Sequence, residues 1–97
     1  SAASDVYKRQ FRIILQDPKV KAILINIFGG IVRCDRVAQG IVDAYKNMGD
    51  AINIPIIVRL QGTNADIAKK LIDDSGLEVQ SATLFQEAAD KVQEVLQ

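Results

Sequence analysis

Apolar residues along the chain switch between two spacings, and the switches mark the elements. Between residues 5 and 16, Val6, Phe11, Ile14 and Leu15 fall at roughly helical intervals, which predicts a short amphipathic helix. Asp17-Pro18 ends it, because the residue before a proline is driven out of the α region. Val20–Ile27 is β-branched and almost wholly apolar, the pattern of a central parallel strand covered on both faces. This run stops at Gly29-Gly30. Within four residues a helical pattern begins: the 3.6-residue stripe Val37, Ile41, Ala44, Tyr45 and Met48 predicts a helix over Cys34–Gly49, closed by Gly49.

The second half repeats the alternation. Ala51–Pro55 reads as a link, with Pro55 at a strand entry, and Ile56–Leu60 as the second strand. Gln61-Gly62-Thr63-Asn64 reads as a second glycine turn, with Thr63 or Asn64 capping a helix. Its stripe is Ile67, Ala68, Leu71 and Ile72, and Gly76 ends it. Leu77–Ser81 is a short third strand. Thr83 and Gln86 are spaced as a capping box for a last helix with the stripe Leu84, Phe85, Ala88, Ala89, Val92, Val95 and Leu96. The order α-β-α-β-α-β-α predicts parallel strands joined by right-handed crossovers, hence a three-layer open α/β sheet. Three strands are few for such a sheet, so a first strand is expected to be missing before residue 5.

Composition narrows the chemistry. Ninety-seven residues make one small domain, 48% hydrophobic and 25% charged. Twelve basic residues balance twelve acidic ones, without the basic excess that marks nucleic-acid binding. No apolar run reaches the roughly 18 residues of a membrane span, and no signal-peptide pattern opens the chain. The single cysteine, Cys34, excludes an internal disulfide and suits a reducing compartment. There is no histidine, so no His base, phosphohistidine or His-held metal can come from this chain. No catalytic side chain and no metal ligand is assigned to it; Asp35, Asp73 and Asp74 read as helix-end charges.

In an open α/β sheet, ligands bind beyond the carboxyl ends of the strands. Phe28–Arg33, Gln61–Asn64 and Ala82–Thr83 fall there. The first is the strongest candidate, because a strand that turns at glycines into a helix presents backbone N–H groups to an anion. Gly29 and Gly30 either admit a ligand close to the backbone or only make the turn. Arg33 either pairs with a phosphate or carboxylate or is simply solvated. Cys34 either has its thiol pKa lowered by the helix dipole or is a packed small hydrophobe. Neither the dinucleotide Gly-x-Gly-x-x-Gly nor the Gly-Lys-Ser/Thr ending of a P-loop is present.

Four segments carry a family resemblance. Asp17-Pro18-Lys19-Val20-Lys21-Ala22-Ile23-Leu24, Asn26-Ile27-Phe28-Gly29-Gly30-Ile31-Val32-Arg33-Cys34-Asp35 and Val58-Arg59-Leu60-Gln61-Gly62-Thr63-Asn64, with Asp74-Ser75-Gly76-Leu77, closely resemble the C-terminal CoA-ligase domain of the succinate–CoA ligase β subunit over residues 11–97. The resemblance implies a flavodoxin-like fold and a share in the reaction of succinate, CoA and ATP or GTP to succinyl-CoA, nucleoside diphosphate and phosphate. It implies that the reactive phosphohistidine lies on an α subunit, and that nucleotide and Mg²⁺ bind an ATP-grasp domain N-terminal to this one. No cofactor is then expected on this chain. Carried over, Gly30, Ile31 and Val32 would line the succinate or succinyl-phosphate site, while Gly29, Arg33 and Cys34 would turn a helix N-terminus toward the phosphate. The compartment implied is the bacterial cytoplasm, or the mitochondrial matrix in a eukaryote.

Residues 1–10 depart from the family pattern, which has a strand and a glycine-rich turn there, and Gln61 stands where many relatives carry Glu. A stand-alone anion-binding α/β module, and the same domain of a malate– or citrate–CoA ligase, are the alternatives.

Overall fold

The computed structural model describes residues 2–97, apart from the side chains of residues 3 and 29–32. Its elements are α1 (Ala2–Ile14), β1 (Ile23–Arg33), α2 (Cys34–Met48), a 3-10 turn (Gly49–Ala51), β2 (Ile56–Thr63), α3 (Ala65–Asp73), β3 (Val79–Ala82) and α4 (Phe85–Val95). The strands form one sheet in the order β1-β2-β3, and both pairs are parallel. Parallel neighbours need a crossover, and α2 and α3 supply the two. This is the open α/β architecture that the alternating pattern predicts.

Strand alternation divides the molecule into layers. On β2, Ile56, Val58 and Leu60 enter the main core with Ile41 of α2 and Ile72 of α3. Ile57 points the other way and meets Ala82, Ala88, Val92 and Val95, so α4 covers the opposite face. The four apolar side chains of β2 are at most 1% exposed. At about 1.5–3 kcal/mol for each fully buried aliphatic side chain, β2 is the strand on which the fold depends most.

Four expectations need correction. First, β1 is covered on one face only. Ile23 and Ile27 are buried, whereas Leu24 is 41% and Phe28 67% exposed, because α4 packs on β2 and β3 and leaves the edge strand bare. Second, the chain does not turn at Gly29-Gly30. Strand pairing continues to Arg33, with Gly29 opposite Gly62 and Arg33 opposite Thr63. Four steps along β1 therefore face one step along β2, and residues 30–32 form an irregular bulge at the strand end. Third, β2 likewise runs through Gln61–Thr63, where a turn is predicted. Fourth, the start of α4 is shifted by one residue. Leu84 is its N-cap, and Glu87 Oε1 accepts the Thr83 N–H at 2.8 Å. The Gln86 amide donates to Asp90 instead.

The first helix also starts earlier than its apolar spacing indicates. It packs against α2, so Phe11 is enclosed while Val6 and Ile14 stay partly exposed.

Candidate functional site

The carboxyl end of β1 delivers the chain into α2 without an intervening loop. Arg33 is the N-cap residue, extended at φ −88° and ψ 105°, and its side chain makes no capping hydrogen bond. An arginine has only donors, so it cannot satisfy the first-turn N–H groups that every helix leaves without an intrahelical partner. The positive end of the α2 dipole lies on the rim of the sheet, where the first-turn Asp35 carboxylate accepts its own backbone N–H.

The charges around that end are organised. Arg33 Nη2 donates to Asp35 Oδ2 at 2.9 Å, and the guanidinium is about half exposed. Asn64 Nδ2 donates to the other carboxylate oxygen, Asp35 Oδ1, at 3.3 Å. Partial burial pushes the Asp35 carboxyl up, but the hydrogen bonds from Asn64 and Arg33 outweigh it and hold the group below the ordinary carboxylate range. Asp35 is therefore ionised at neutral pH, and Arg33 balances it.

Cys34 is fully buried. Burial pushes its thiol pKa up, the Asp35 charge adds to this, and the opposing hydrogen bond from its own backbone is weaker. Of the two readings, the packed, neutral thiol is the one that holds; only the Cys34 backbone belongs to the helix end. Gly29, Gly30, Ile31 and Val32 belong by their backbone to the bulged end of β1. Where the side chains at 29–32 point lies outside the described residues.

The neighbouring rim is tied down by contacts that the sequence patterns do not foretell. Gln61 Nε2 donates to the Thr83 carbonyl at 3.1 Å, joining the end of β2 to the start of α4. The Arg59 guanidinium lies 5.7 Å from the centroid of the Phe85 ring, a cation–π distance, and its Nε is buried without a hydrogen-bond partner. No sequence signal announces the Asp35–Asn64 contact, whose partners are 29 residues apart. Asn64 does occupy the predicted N-cap position of α3, but its side chain makes no capping bond.

Elsewhere, Asp73 and Asp74 are paired with Lys69 and Lys70. Among the described residues, no group of three or more His, Cys, Asp or Glu is placed to hold a metal ion. No described helix is long and apolar enough to cross a membrane. A cavity of about 500 Å³ lined by Pro55, Leu77, Glu78, Gln80 and Val95 lies at the entry ends of β2 and β3, away from the α2 rim.

Comparison with known proteins bears on this geometry. The family described as CoA-ligase matches residues 2–93. The "Succinate--CoA ligase [ADP-forming] subunit beta" of Christiangramia forsetii is 84% identical over 86 residues, which is 89% of this chain and 22% of that protein. The protein of the same description from Flavobacterium johnsoniae is 79% identical over the same shares. That of Salinibacter ruber is 58% identical over 92 residues, 95% of this chain and 23% of the relative. The chain therefore spans little more than a fifth of the length of the curated relatives it matches.

Proposed function

The chain belongs to the CoA-ligase family, and from that premise we propose that it is the C-terminal domain of the β subunit of an ADP-forming succinate–CoA ligase. The observation that carries the reading is its 84% identity to such a subunit over 89% of the chain. The full enzyme joins succinate and CoA to succinyl-CoA as ATP becomes ADP and phosphate. The domain spans residues 11–97, and the enzyme works in the cytoplasm.

The role of this domain is carried over from the family resemblance, and the position of the α2 N-terminus on the rim supports it. Gly30, Ile31 and Val32 line the succinate or succinyl-phosphate site shared with the α subunit. Gly29 and the Arg33-Cys34 step turn the α2 N-terminus toward a phosphoryl group carried by an α-subunit histidine. A phosphoryl dianion needs fixed positive charge that does not reorganise. The dipole end of α2 and the half-exposed Arg33 guanidinium supply it. This division of labour fits a chain without histidine. By the family resemblance, nucleotide and Mg²⁺ belong to an ATP-grasp domain of the full subunit.

The test is Gly30→Val in the full-length β subunit assembled with α. Phosphohistidine formation from succinyl-CoA and radiolabelled phosphate should fall at least tenfold. Phosphorylation and succinyl-CoA synthesis at the unsubstituted level would overturn the assignment of the β1 end.

A further inference from the structure

We propose that Asn64 and Asp35 are positioning residues that hold the Arg33 guanidinium at the N-terminus of α2, so that the β2–α3 junction sets how firmly the proposed phosphoryl site holds its anion. The proposal rests on the reading of α2 given above.

The argument starts with Asn64. It lies in the left-handed region, at φ 61° and ψ 30°, a conformation that asparagine tolerates better than other residues with a Cβ. At an N-cap, an Asn side-chain oxygen ordinarily accepts an N–H of its own helix. Here that bond is absent, and the amide donates across the sheet rim to Asp35 Oδ1 at 3.3 Å. The local conformation therefore serves a contact between the β2–α3 junction and the first turn of α2 and does not cap α3.

Asp35 passes the constraint on. Its second oxygen accepts from Arg33 Nη2 at 2.9 Å, and its side chain is only 20% exposed. A guanidinium carries five N–H donors, so a single-point contact leaves most of the fork for an incoming phosphoryl group. The pairing also offsets a carboxylate that would otherwise repel an anion at the helix end. Arg33 is a flexible side chain about half exposed. Anchoring it before the anion arrives removes part of the ordering cost of binding.

The test uses the full-length β subunit assembled with α, and inorganic phosphate as the probe in the direction that consumes succinyl-CoA, ADP and phosphate. Asn64→Gly keeps the left-handed backbone without strain and deletes only the amide. It should raise the KM for phosphate by about three- to tenfold, the range for an indirectly held charged hydrogen bond, with kcat unchanged. Asn64→Asp, which turns the donor into a facing carboxylate, should do more. Because Asn64 acts through Asp35, Asn64→Gly in an Asp35→Ala background should add less than about twofold. Assembly with α, measured by size exclusion, should be unaffected. Independent, multiplying effects of Asn64→Gly and Asp35→Ala would overturn the relay, as would a fall in kcat at constant KM. Arg33→Ala separates the two levels. If it leaves the phosphate KM unchanged, the reading of Arg33 as an anion contact fails, and the relay with it. If it raises the KM while Asn64→Gly does not, the relay alone fails.

Discussion

Cys34 offers a sharp test of whether burial or the helix dipole governs the opening of α2. It is the first residue of the helix, with 0% of its surface exposed. Cys34→Ala removes one sulfur, comparable to a methylene, and should cost about 1 kcal/mol. Cys34→Ser keeps the volume but encloses a hydroxyl. The serine oxygen can keep the backbone N–H contact that the sulfur has, and enclosing its hydroxyl in an apolar setting costs about 1–3 kcal/mol, against about 1 kcal/mol for Ala. With a urea m-value of about 1 kcal/mol/M for so short a chain, the serine variant should unfold at or below the alanine midpoint, by up to about 2 M. The thiol also predicts a pH dependence. Burial raises its pKa in the folded chain, while the unfolded thiol titrates near its usual value of about 8.5. Above that pH the unfolded chain gives up a proton that the folded chain keeps. Stability fully present below about pH 8.5 is then lost as pH rises toward the folded value, and Cys34→Ala should remove that decline. Tyr7 and Tyr45, also raised by burial, contribute only above about pH 10. Urea unfolding between pH 7 and 10 reads both effects. A serine variant more stable than the alanine one, or a native thiol that reacts with a disulfide reagent as fast as in urea, would refute the reasoning.

Three further outcomes are expected. Gly49→Ala should lose about 1 kcal/mol from backbone strain alone, because φ is +52° and nothing lies within 4 Å of a new Cβ; an unchanged urea midpoint would contradict this. Glu87→Gln should lower the melting temperature and Gln86→Ala should not, since the Thr83 N–H is held by Glu87; circular dichroism melts compare the two. The acid limb of stability should come from Asp35, Asp73 and Glu87, all held below their ordinary values. For Asp73, burial pushes upward but the bonds from Lys69 and Ser81 prevail. Groups with depressed folded pKa values stabilise above their unfolded values of about 4 and lose this as pH falls. Melts from pH 3 to 7 should therefore flatten in Asp73→Asn, and an unaltered acid limb would count against the network.

Element order, the parallel sheet and most of the core were legible before any coordinates, because each depends on residues close along the chain. The 3.6-residue stripe from Val37 to Met48 and the β-branched run through Ile56–Leu60 report burial directly. Pattern also located the rim where the candidate site lies, since a strand that leads into a helix places an N-terminus there.

The misread features all depend on a distant partner. Periodicity could not show that β1 pairs on past its glycines, because the bulge is defined only against Gly62 and Thr63 of β2. The burial of one face of β1 was set by where α4 came to rest. For Cys34, both readings were open in the sequence, and enclosure decided for the packed thiol over the dipole of its own helix. Asn64 follows the local rule for an N-cap in position but not in bonding, because Asp35 lies within reach across the rim. Local rules count neighbours along the chain, whereas desolvation, register and cross-loop hydrogen bonds are fixed by residues that only the folded topology brings together.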